Sequence, residues 1–238
     1  MKIPILPKSA FFIFFIALLF IQSLGFAQPP QTLRRRQVVS IGPKIGVNLS
    51  DLNGDVNNHS LQPGISAGAM LTYSVVNTFG ISVEALYSQK GAKFKNTAYS
   101  GASNNFNRRL NYIEVPILAR YFLNKSGDFR PNLFIGPDFG FKLNAKDVNR
   151  KITNGADQPD QDVSGSITPV DVGLTAGIGL NFAVVEKMRF ILDARYTYGF
   201  SDIADEPLPG FVNDGKASNS AITFTFGISF GIGKKYVK

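Results

Sequence analysis

Apolar and polar residues alternate with a period of two along most of the chain, which is the pattern of β-strands with two different faces. In the stretch FGISVEALYSQK, for example, Phe79, Ile81 and Val83 lie on one face, and Gly80 and Ser82 lie on the other. Eight such stretches, each about 10 to 14 residues long, occur at 41–50, 63–75, 79–90, 110–123, 131–145, 170–182, 188–200 and 221–233. After residue 27 no segment shows a capped period of 3.6, so the sequence predicts an all-β fold.

The connections between these stretches alternate between short and long. The short ones are VVNT, NKSGDF and VVEK, and the long polar ones are residues 51–62, 91–109, 146–168 and 201–219. Short periplasmic turns and long extracellular loops are typical of outer-membrane barrels. The sequence therefore predicts an eight-stranded antiparallel up-and-down transmembrane β-barrel, which must close because lipid cannot satisfy an unpaired strand edge.

The composition of the two faces separates a membrane barrel from a soluble, lipocalin-like one. The polar face is dominated by Gly, Ser, Thr and Asn, and small side chains suit the narrow interior of an eight-stranded barrel. Glycine weakens a strand and gains nothing by facing water. The apolar face carries no charged residue in the middle of any predicted strand, as contact with lipid requires. We therefore expect the apolar face to meet lipid and the polar face to line the lumen.

The predicted inner face carries equal numbers of basic and acidic residues. Buried charges are tolerated mainly when they pair and hydrogen-bond one another, so this balance indicates a structural ion network. A pair of catalytic carboxylates of the glycosidase type is the alternative. The ten residues are Lys44, Glu84, Glu114, Arg120, Asp138, Lys142, Asp171, Arg189, Asp193 and Arg195.

Three prolines interrupt the predicted strands. Pro43, Pro116 and Pro137 each lack a backbone N–H, and a closed barrel has no free edge at which that loss is harmless. We expect a local bulge at each proline. A bulge inverts the alternation beyond it, so the predicted inner face could change after Pro116 and Pro137.

The N-terminus has the layout of a secretory signal peptide. Lys2 and Lys8 precede the apolar block 10–21, and the small-x-small exit ends at Ala27, whereas a membrane-spanning helix needs roughly 20 apolar residues. We predict a cleaved signal peptide at 1–27, an N-terminal periplasmic segment at 28–37 and a barrel domain at 38–238. The chain has no cysteine, so disulfides do not stabilise it.

The second long connection carries a group of basic residues with aromatic residues between them. Lys93, Lys95, Arg108 and Arg109 are candidates for contact with anionic lipopolysaccharide, although a solvated surface is the simpler interpretation. Other expected partners are outer-membrane lipid, the barrel-assembly machinery and an envelope protein complex. The positive charges are scattered along the chain, which argues against binding of nucleic acid.

Few residues are suited to catalysis or cofactor binding. His59 is the only histidine, and it could act as a base with Ser50 or Ser60, as in envelope enzymes that edit lipids. One histidine without cysteine cannot build an ordinary zinc site. The run DLNGD at 51–55 resembles the start of a calcium loop but lacks the later ligands, so a turn is the better interpretation. We expect no cofactor and no enzymatic activity.

Three segments carry a resemblance to a known family. YIEVPILARYF, FIGPDFGFKL and LDARYTYGFSDI resemble the PorT-like outer-membrane β-barrel family, over about residues 38 to 233. The resemblance implies a small porin-like envelope barrel, and some members of the family take part in protein secretion across the outer membrane. We expect a structural or ligand-binding envelope protein with a plugged lumen; a small-solute channel and an accessory part of a secretion system are the alternatives. The end GIGKKYVK lacks the usual terminal Phe, for which Phe230 or Tyr236 could substitute in assembly.

Overall fold

The computed structural model describes residues 38–99, 102–152, 155–185, 187–205 and 216–232. Its long strands are β1 (Val38–Gly54), β2 (His59–Val76), β3 (Phe79–Tyr99), β4 (Ala102–Phe122), β5 (Phe129–Ile152), β8 (Val170–Val185), β9 (Met188–Gly199) and β10 (Ala217–Ile232). Two short strands, β6 (Asp157–Gln158) and β7 (Gln161–Asp162), and a 3₁₀ turn at Ser164–Ser166 lie between β5 and β8. The predicted signal peptide and the segment 28–37 lie outside the described residues, as does Tyr236. Within the described residues, no helix is long and apolar enough to cross a membrane.

The eight long strands form a closed antiparallel ring. Consecutive strands pair from β1 to β5 and from β8 to β10, β5 pairs with β8, and β1 pairs with β10. Every long strand thus has a partner on both sides, which leaves none of the eight with a free edge. The predicted fold, an eight-stranded up-and-down barrel, is confirmed.

The two faces of the ring differ as the alternation predicts. Inward positions are even-numbered along most of β1 to β5 and odd-numbered in β8 to β10. Outward apolar side chains stay exposed, for example Ile45 at 61% and Phe224 at 50%, whereas the adjacent Thr225 is only 4% exposed. An outer surface of this kind is stable only against lipid.

The hairpin of β3 and β4 is longer than the sequence analysis predicts. Residues 91–99 and 102–109, assigned there to a loop, continue the two strands. The alternation continues with them, because Phe94 and Phe106 are buried on the inner side while Lys95 is exposed. Gly91, at φ +128°, remains paired with Arg109. β5 likewise extends to Ile152, so these three strands project beyond the others.

The expected bulges at the three prolines are absent. The register is unbroken through Pro43, Pro116 and Pro137. Each proline keeps a pairing partner on one neighbouring strand, namely Ala69, Asp138 and Leu174 respectively. The irregularities of the β4–β5 pair lie elsewhere, between Asn105 and Asn107 and between Asn111 and Tyr112.

Glycines next to two of the prolines explain how the register survives. A Cβ atom on Gly42 would lie 1.7 Å from the Ile228 carbonyl oxygen, and one on Gly136 would lie 1.9 Å from the Ile117 carbonyl oxygen. Neither position can hold a larger residue without moving a strand. The Gly-Pro pairs therefore let the neighbouring strand pass close by at the point where a ladder hydrogen bond is lost.

Candidate functional site

Five charged side chains meet in the middle of the lumen and form what we call the central ion cluster. Lys44 Nζ lies 2.6 Å from Glu84 Oε1 and 2.6 Å from Asp193 Oδ2. Arg120 Nη2 lies 2.7 Å from Asp193 Oδ2, and Arg195 Nη1 lies 2.8 Å from Glu84 Oε2. All five side chains are at most 4% exposed. Four strands, β1, β3, β4 and β9, are thus tied together across the barrel axis.

Arg120 is the most extensively held member of this cluster. Its Nε donates to Ser82 Oγ at 2.8 Å, and its Nη1 donates to Asn132 Oδ1 at 3.0 Å. Its guanidinium also lies 4.3 Å from the ring centroid of Phe134. A guanidinium held from several sides in this way has little freedom to move, and it links neighbouring strands through the lumen.

Three further carboxylates lie towards the end with the long connections. Glu114 pairs with Lys90, Asp138 Oδ2 accepts from Thr175 Oγ1 at 2.9 Å, and Asp171 Oδ2 accepts from Asn219 Nδ2 at 2.8 Å. We call these three carboxylates the upper carboxylate group.

The upper carboxylate group is less completely satisfied than the central ion cluster. Asp138 Oδ1 and Asp171 Oδ1 are buried and have no hydrogen-bond partner. Among the described residues of the two groups, counted together with Lys90, five carboxylates face four cations, so a full pairing of charges is not attained. The carboxylates are Glu84, Glu114, Asp138, Asp171 and Asp193, and the cations are Lys44, Lys90, Arg120 and Arg195.

Two of the ten residues predicted for the ion network lie at the ends of the lumen instead. Lys142 Nζ donates to the carbonyl oxygens of Ser164 and Ile167. Arg189 Nη2 donates to the carbonyl oxygen of Gly127 at 3.1 Å. The five basic and five acidic residues predicted to form one network therefore do not do so. Eight of the ten lie in the central ion cluster and the upper carboxylate group, and Lys90 is an additional member that was not predicted.

Lys90 is the last residue of its predicted strand and borders a predicted loop, so its part in the network was not predicted. Lys90 continues the even-numbered inner face of β3 and is 4% exposed. The same alternation that selected Glu84 on this strand would have found it.

Above the charged groups, apolar side chains close the barrel, and we call them the extracellular plug. The rings of Phe94 and Phe106 stack at 4.8 Å with an interplanar angle of 15°. Segments after β7 and β9 fold over them, because Thr168 N donates to Ile203 O at 3.0 Å and Val163 N donates to Ala145 O at 2.9 Å. The plug consists of Leu52, Val56, Ala92, Phe94, Phe106, Leu110, Tyr112, Ala145, Val163, Ile167, Ile203 and Ala217.

The four basic residues predicted to contact an anionic ligand do not form one surface. Arg108 is fully buried within the plug, where its Nε and Nη2 donate to Asp147 at 2.8 Å each. Lys95 is exposed, and Lys93 and Arg109 are half-buried on the outside of the β3–β4 hairpin. Arg108 is therefore no surface residue, and a role in ligand binding stays a prediction for the other three.

His59 lies on the rim beside Asp51, with 2.6 Å between His59 Nδ1 and Asp51 Oδ1. Both side chains are about a quarter exposed. Ser50, one of the two hydroxyl partners considered for His59, is buried, with its Oγ near the main-chain oxygens of Gln62 and Gly91. In the described part of the chain, no group of three or more His, Asp or Glu side chains is arranged to hold a metal ion.

A closed ring of antiparallel strands with an apolar outer face and a charged, filled lumen defines an integral membrane β-barrel. A family model described as the outer membrane protein beta-barrel domain matches residues 26–205, and the chain belongs to this family. The match does not single out the PorT-like group.

Solved structures similar to this chain include outer-membrane barrels of low sequence identity. Neisserial surface protein A is 15% identical, with a TM-score of 0.45 over 81% of this chain and 96% of that one. Outer membrane protein W of E. coli is 12% identical, with a TM-score of 0.41 over 84% of this chain and 100% of that one. The E. coli outer membrane protease OmpT is 8% identical, with a TM-score of 0.39 over 85% of this chain and 99% of that one. No protein with a curated function matches the sequence.

Proposed function

We propose that this outer-membrane protein is a non-enzymatic barrel with a closed lumen that binds a partner through its extracellular surface. The observation that carries the proposal is the filling of the lumen at successive levels. The central ion cluster crosses the barrel at mid-height, and the extracellular plug covers the end above it. A lumen blocked at both levels gives a solute no continuous aqueous path, so the exposed surfaces carry the function.

The projecting parts of β3, β4 and β5 are the surface best suited to binding, and we call them the hairpin wall. A strand of 21 residues, the length of β3 and of β4, rises about 50 Å at the usual tilt, whereas the apolar band is about 25 Å tall. Roughly half of each strand therefore stands outside the membrane. Because the wall is hydrogen-bonded strand packed on the plug, it presents its side chains from a rigid base.

The outer side of the hairpin wall favours an anionic ligand such as lipopolysaccharide. Lys93 and Lys95 follow one another on the outward side of β3, and Arg109 lies opposite Lys146 in the β4–β5 register. Asp162 pairs with Lys146 from the other side and offsets part of this charge. Exposed cations of this kind attract polyanions over about a Debye length.

The binding role is tested by titrating the folded mature protein with the phosphorylated core oligosaccharide of lipopolysaccharide in calorimetry. The variant Lys93→Gln/Lys95→Gln/Arg109→Gln should bind at least about fivefold more weakly at low salt, and the difference should shrink at high salt because the contacts are screened. The control is Lys125→Gln/Lys187→Gln, which removes two exposed lysines from the short turns at the other end of the barrel. Equal binding by all three proteins would refute the assignment of the site.

Conductance separates the closed barrel from the small-solute channel. The mature protein in planar bilayers should give no discrete current steps, whereas the channel alternative requires them. A secretion role, which the PorT-like resemblance suggests, instead requires that the barrel co-purify with a larger envelope complex. Crosslinking of intact cells followed by purification of the barrel would show such a complex.

A hydrolytic role is the second candidate, and it rests on the contact between His59 and Asp51. A carboxylate 2.6 Å from Nδ1 fixes the tautomer that leaves Nε2 as a base, as general base catalysis requires. If this candidate holds, producing the wild-type protein changes the lipid composition of the envelope, and producing the His59→Ala variant does not. An unchanged lipid composition with both proteins would exclude it.

A further inference from the structure

A row of neutral amide side chains crosses the outer surface of the barrel at the base of the hairpin wall. Gln89 lies on β3, Asn111 on β4 and Asn144 on β5, and all three are half-buried. They are neighbours, because Gln89 pairs with Asn111 in the β3–β4 register and Asn111 pairs with Asn144 in the β4–β5 register. We call these three residues the amide band.

Side-chain hydrogen bonds hold the amide band in place. Asn111 Oδ1 accepts from Tyr87 Oη at 3.0 Å and from Gln89 Nε2 at 3.2 Å. Asn111 Nδ2 donates to Asn144 Oδ1 at 2.7 Å. Gln89 Oε1 and Asn144 Nδ2 have no hydrogen-bond partner among the described residues. The band therefore offers a ligand both an acceptor and donors from fixed positions.

The amide band separates an apolar surface from a basic one. Along β4 the successive outward residues are Ile113, Asn111 and Arg109. Along β5 the band lies between Phe141, which is 48% exposed, and Lys146. Arg109 and Lys146 pair in the β4–β5 register, so their cations lie side by side. The order from the membrane outwards is apolar, neutral polar and basic.

The spacing of these rows matches a lipid with a sugar headgroup. From Ile113 to Arg109 the strand rises about 13 Å, or about 10 Å along the membrane normal at a tilt near 40°. That height covers the polar layer of one leaflet, which is roughly 5 to 8 Å thick. In a phosphorylated glycolipid, a sugar ring with hydroxyl and amide groups lies between the acyl chains and the phosphate. In a phospholipid the phosphate follows the glycerol directly, which leaves a row of amides without a counterpart.

We propose that the amide band binds the sugar headgroup of a phosphorylated glycolipid in the outer leaflet. Its acyl chains lie on the apolar surface below the band, and its phosphate lies against Arg109 and Lys146 above it. Asp162 pairs with Lys146 from the side away from β4, so it leaves the Arg109 side open to an anion. This inference rests on the proposed function and names the part of lipopolysaccharide that is bound, namely the acylated glucosamine disaccharide next to the membrane.

The test uses the acylated, bisphosphorylated glucosamine disaccharide itself as the probe. The folded mature protein is mixed with it in detergent micelles, and the glycolipid that stays bound is counted by native mass spectrometry. Asn111→Ala and Gln89→Ala/Asn144→Ala should each weaken the apparent affinity about fivefold to tenfold, since each removes hydrogen bonds to the sugar. The matched control is Asn107→Ala, a half-buried residue of the same type on the same side of β4 but beyond the basic row. It should leave the affinity unchanged.

A phospholipid separates recognition of the sugar from general contact with lipid. Phosphatidylglycerol with the same acyl chains carries a phosphate but no sugar ring, so the wild type and both amide variants should retain it equally. Equal losses of phosphatidylglycerol and glycolipid in the amide variants would overturn the proposal. Unchanged retention of glycolipid by both amide variants would also overturn it. The gel shift between folded and heated protein confirms that each variant is folded before it is measured.

The variant Lys93→Gln/Lys95→Gln/Arg109→Gln distinguishes failure of this inference from failure of the proposed function. If that variant loses the glycolipid while both amide variants keep it, binding is electrostatic alone. The proposed function then stands and the role of the amide band is refuted. If the wild type retains no glycolipid but still binds the water-soluble core oligosaccharide, only this inference fails. If it binds neither ligand, both fail.

Discussion

Replacing Glu84 by glutamine removes the carboxylate on which three cations of the central ion cluster converge. Lys44, Arg120 and Arg195 lie 2.6, 3.2 and 2.8 Å from its oxygens. Lys44 and Arg120 both keep a contact with Asp193 after the change, which offsets part of their charge. Arg195 loses the carboxylate to which it donates. Breaking a buried ion pair costs about 3 to 5 kcal/mol, and the partial compensation by Asp193 puts our expectation near the lower end, at about 3 kcal/mol.

Asp138→Asn is the matched control, because it removes the same charge from the same lumen. Asp138 Oδ1 has no hydrogen-bond partner, and asparagine retains an oxygen to accept from Thr175. Within the central ion cluster and the upper carboxylate group, counted together with Lys90, five carboxylates face four cations, so loss of one carboxylate here relieves repulsion instead of orphaning a cation. We expect the free energy of unfolding to change by less than about 1 kcal/mol.

The measurement is equilibrium unfolding of each variant in urea in the same detergent or lipid. The chain contains no tryptophan, so unfolding is followed by far-UV circular dichroism and by the gel shift between folded and heated protein. A larger loss of stability for Glu84→Gln than for Asp138→Asn is expected. Equal losses would refute the argument that pairing, and not charge alone, decides what each lumen residue contributes.

Three further predictions use the same unfolding measurement. Glu114→Gln should destabilise the barrel by about 3 kcal/mol because it leaves the buried Lys90 without its ion-pair partner. Asp157→Asn, at a surface side chain that is 83% exposed, should cost less than about 1 kcal/mol. Equal unfolding midpoints for the two variants would contradict this. Gly136→Ala should prevent folding or lower stability strongly, since its Cβ would lie 1.9 Å from a main-chain oxygen of β4, while Gly165→Ala, with nothing within 4 Å, should be tolerated. Phe106→Ala should cost about 3 to 5 kcal/mol by opening a cavity in the plug, and it should leave the barrel without current steps in planar bilayers because the central ion cluster still blocks the lumen.

The alternation of residue types was sufficient to predict the ring and the direction of its faces. It placed Glu84, Arg120 and Asp193 on the inner side although they are far apart in the chain. What it could not supply is the relative height of the strands, which depends on register and stagger. Lys142 and Arg189 therefore counted as network members although they lie at opposite ends of the lumen.

The hairpin wall and the plug were missed because their sequence resembles a loop. Residues 91–109 are rich in Asn, Ala, Gly and Lys, which are depleted in strands. Cross-strand contacts override these preferences: Phe94 stacks on Phe106, and Arg108 pairs with Asp147, 39 residues away. Arg108 lies on the even-numbered, inward side of β4, so the alternation would have placed it inside had residues 102–109 been predicted as strand; its partner Asp147 lies on another strand and could not be found from a local pattern.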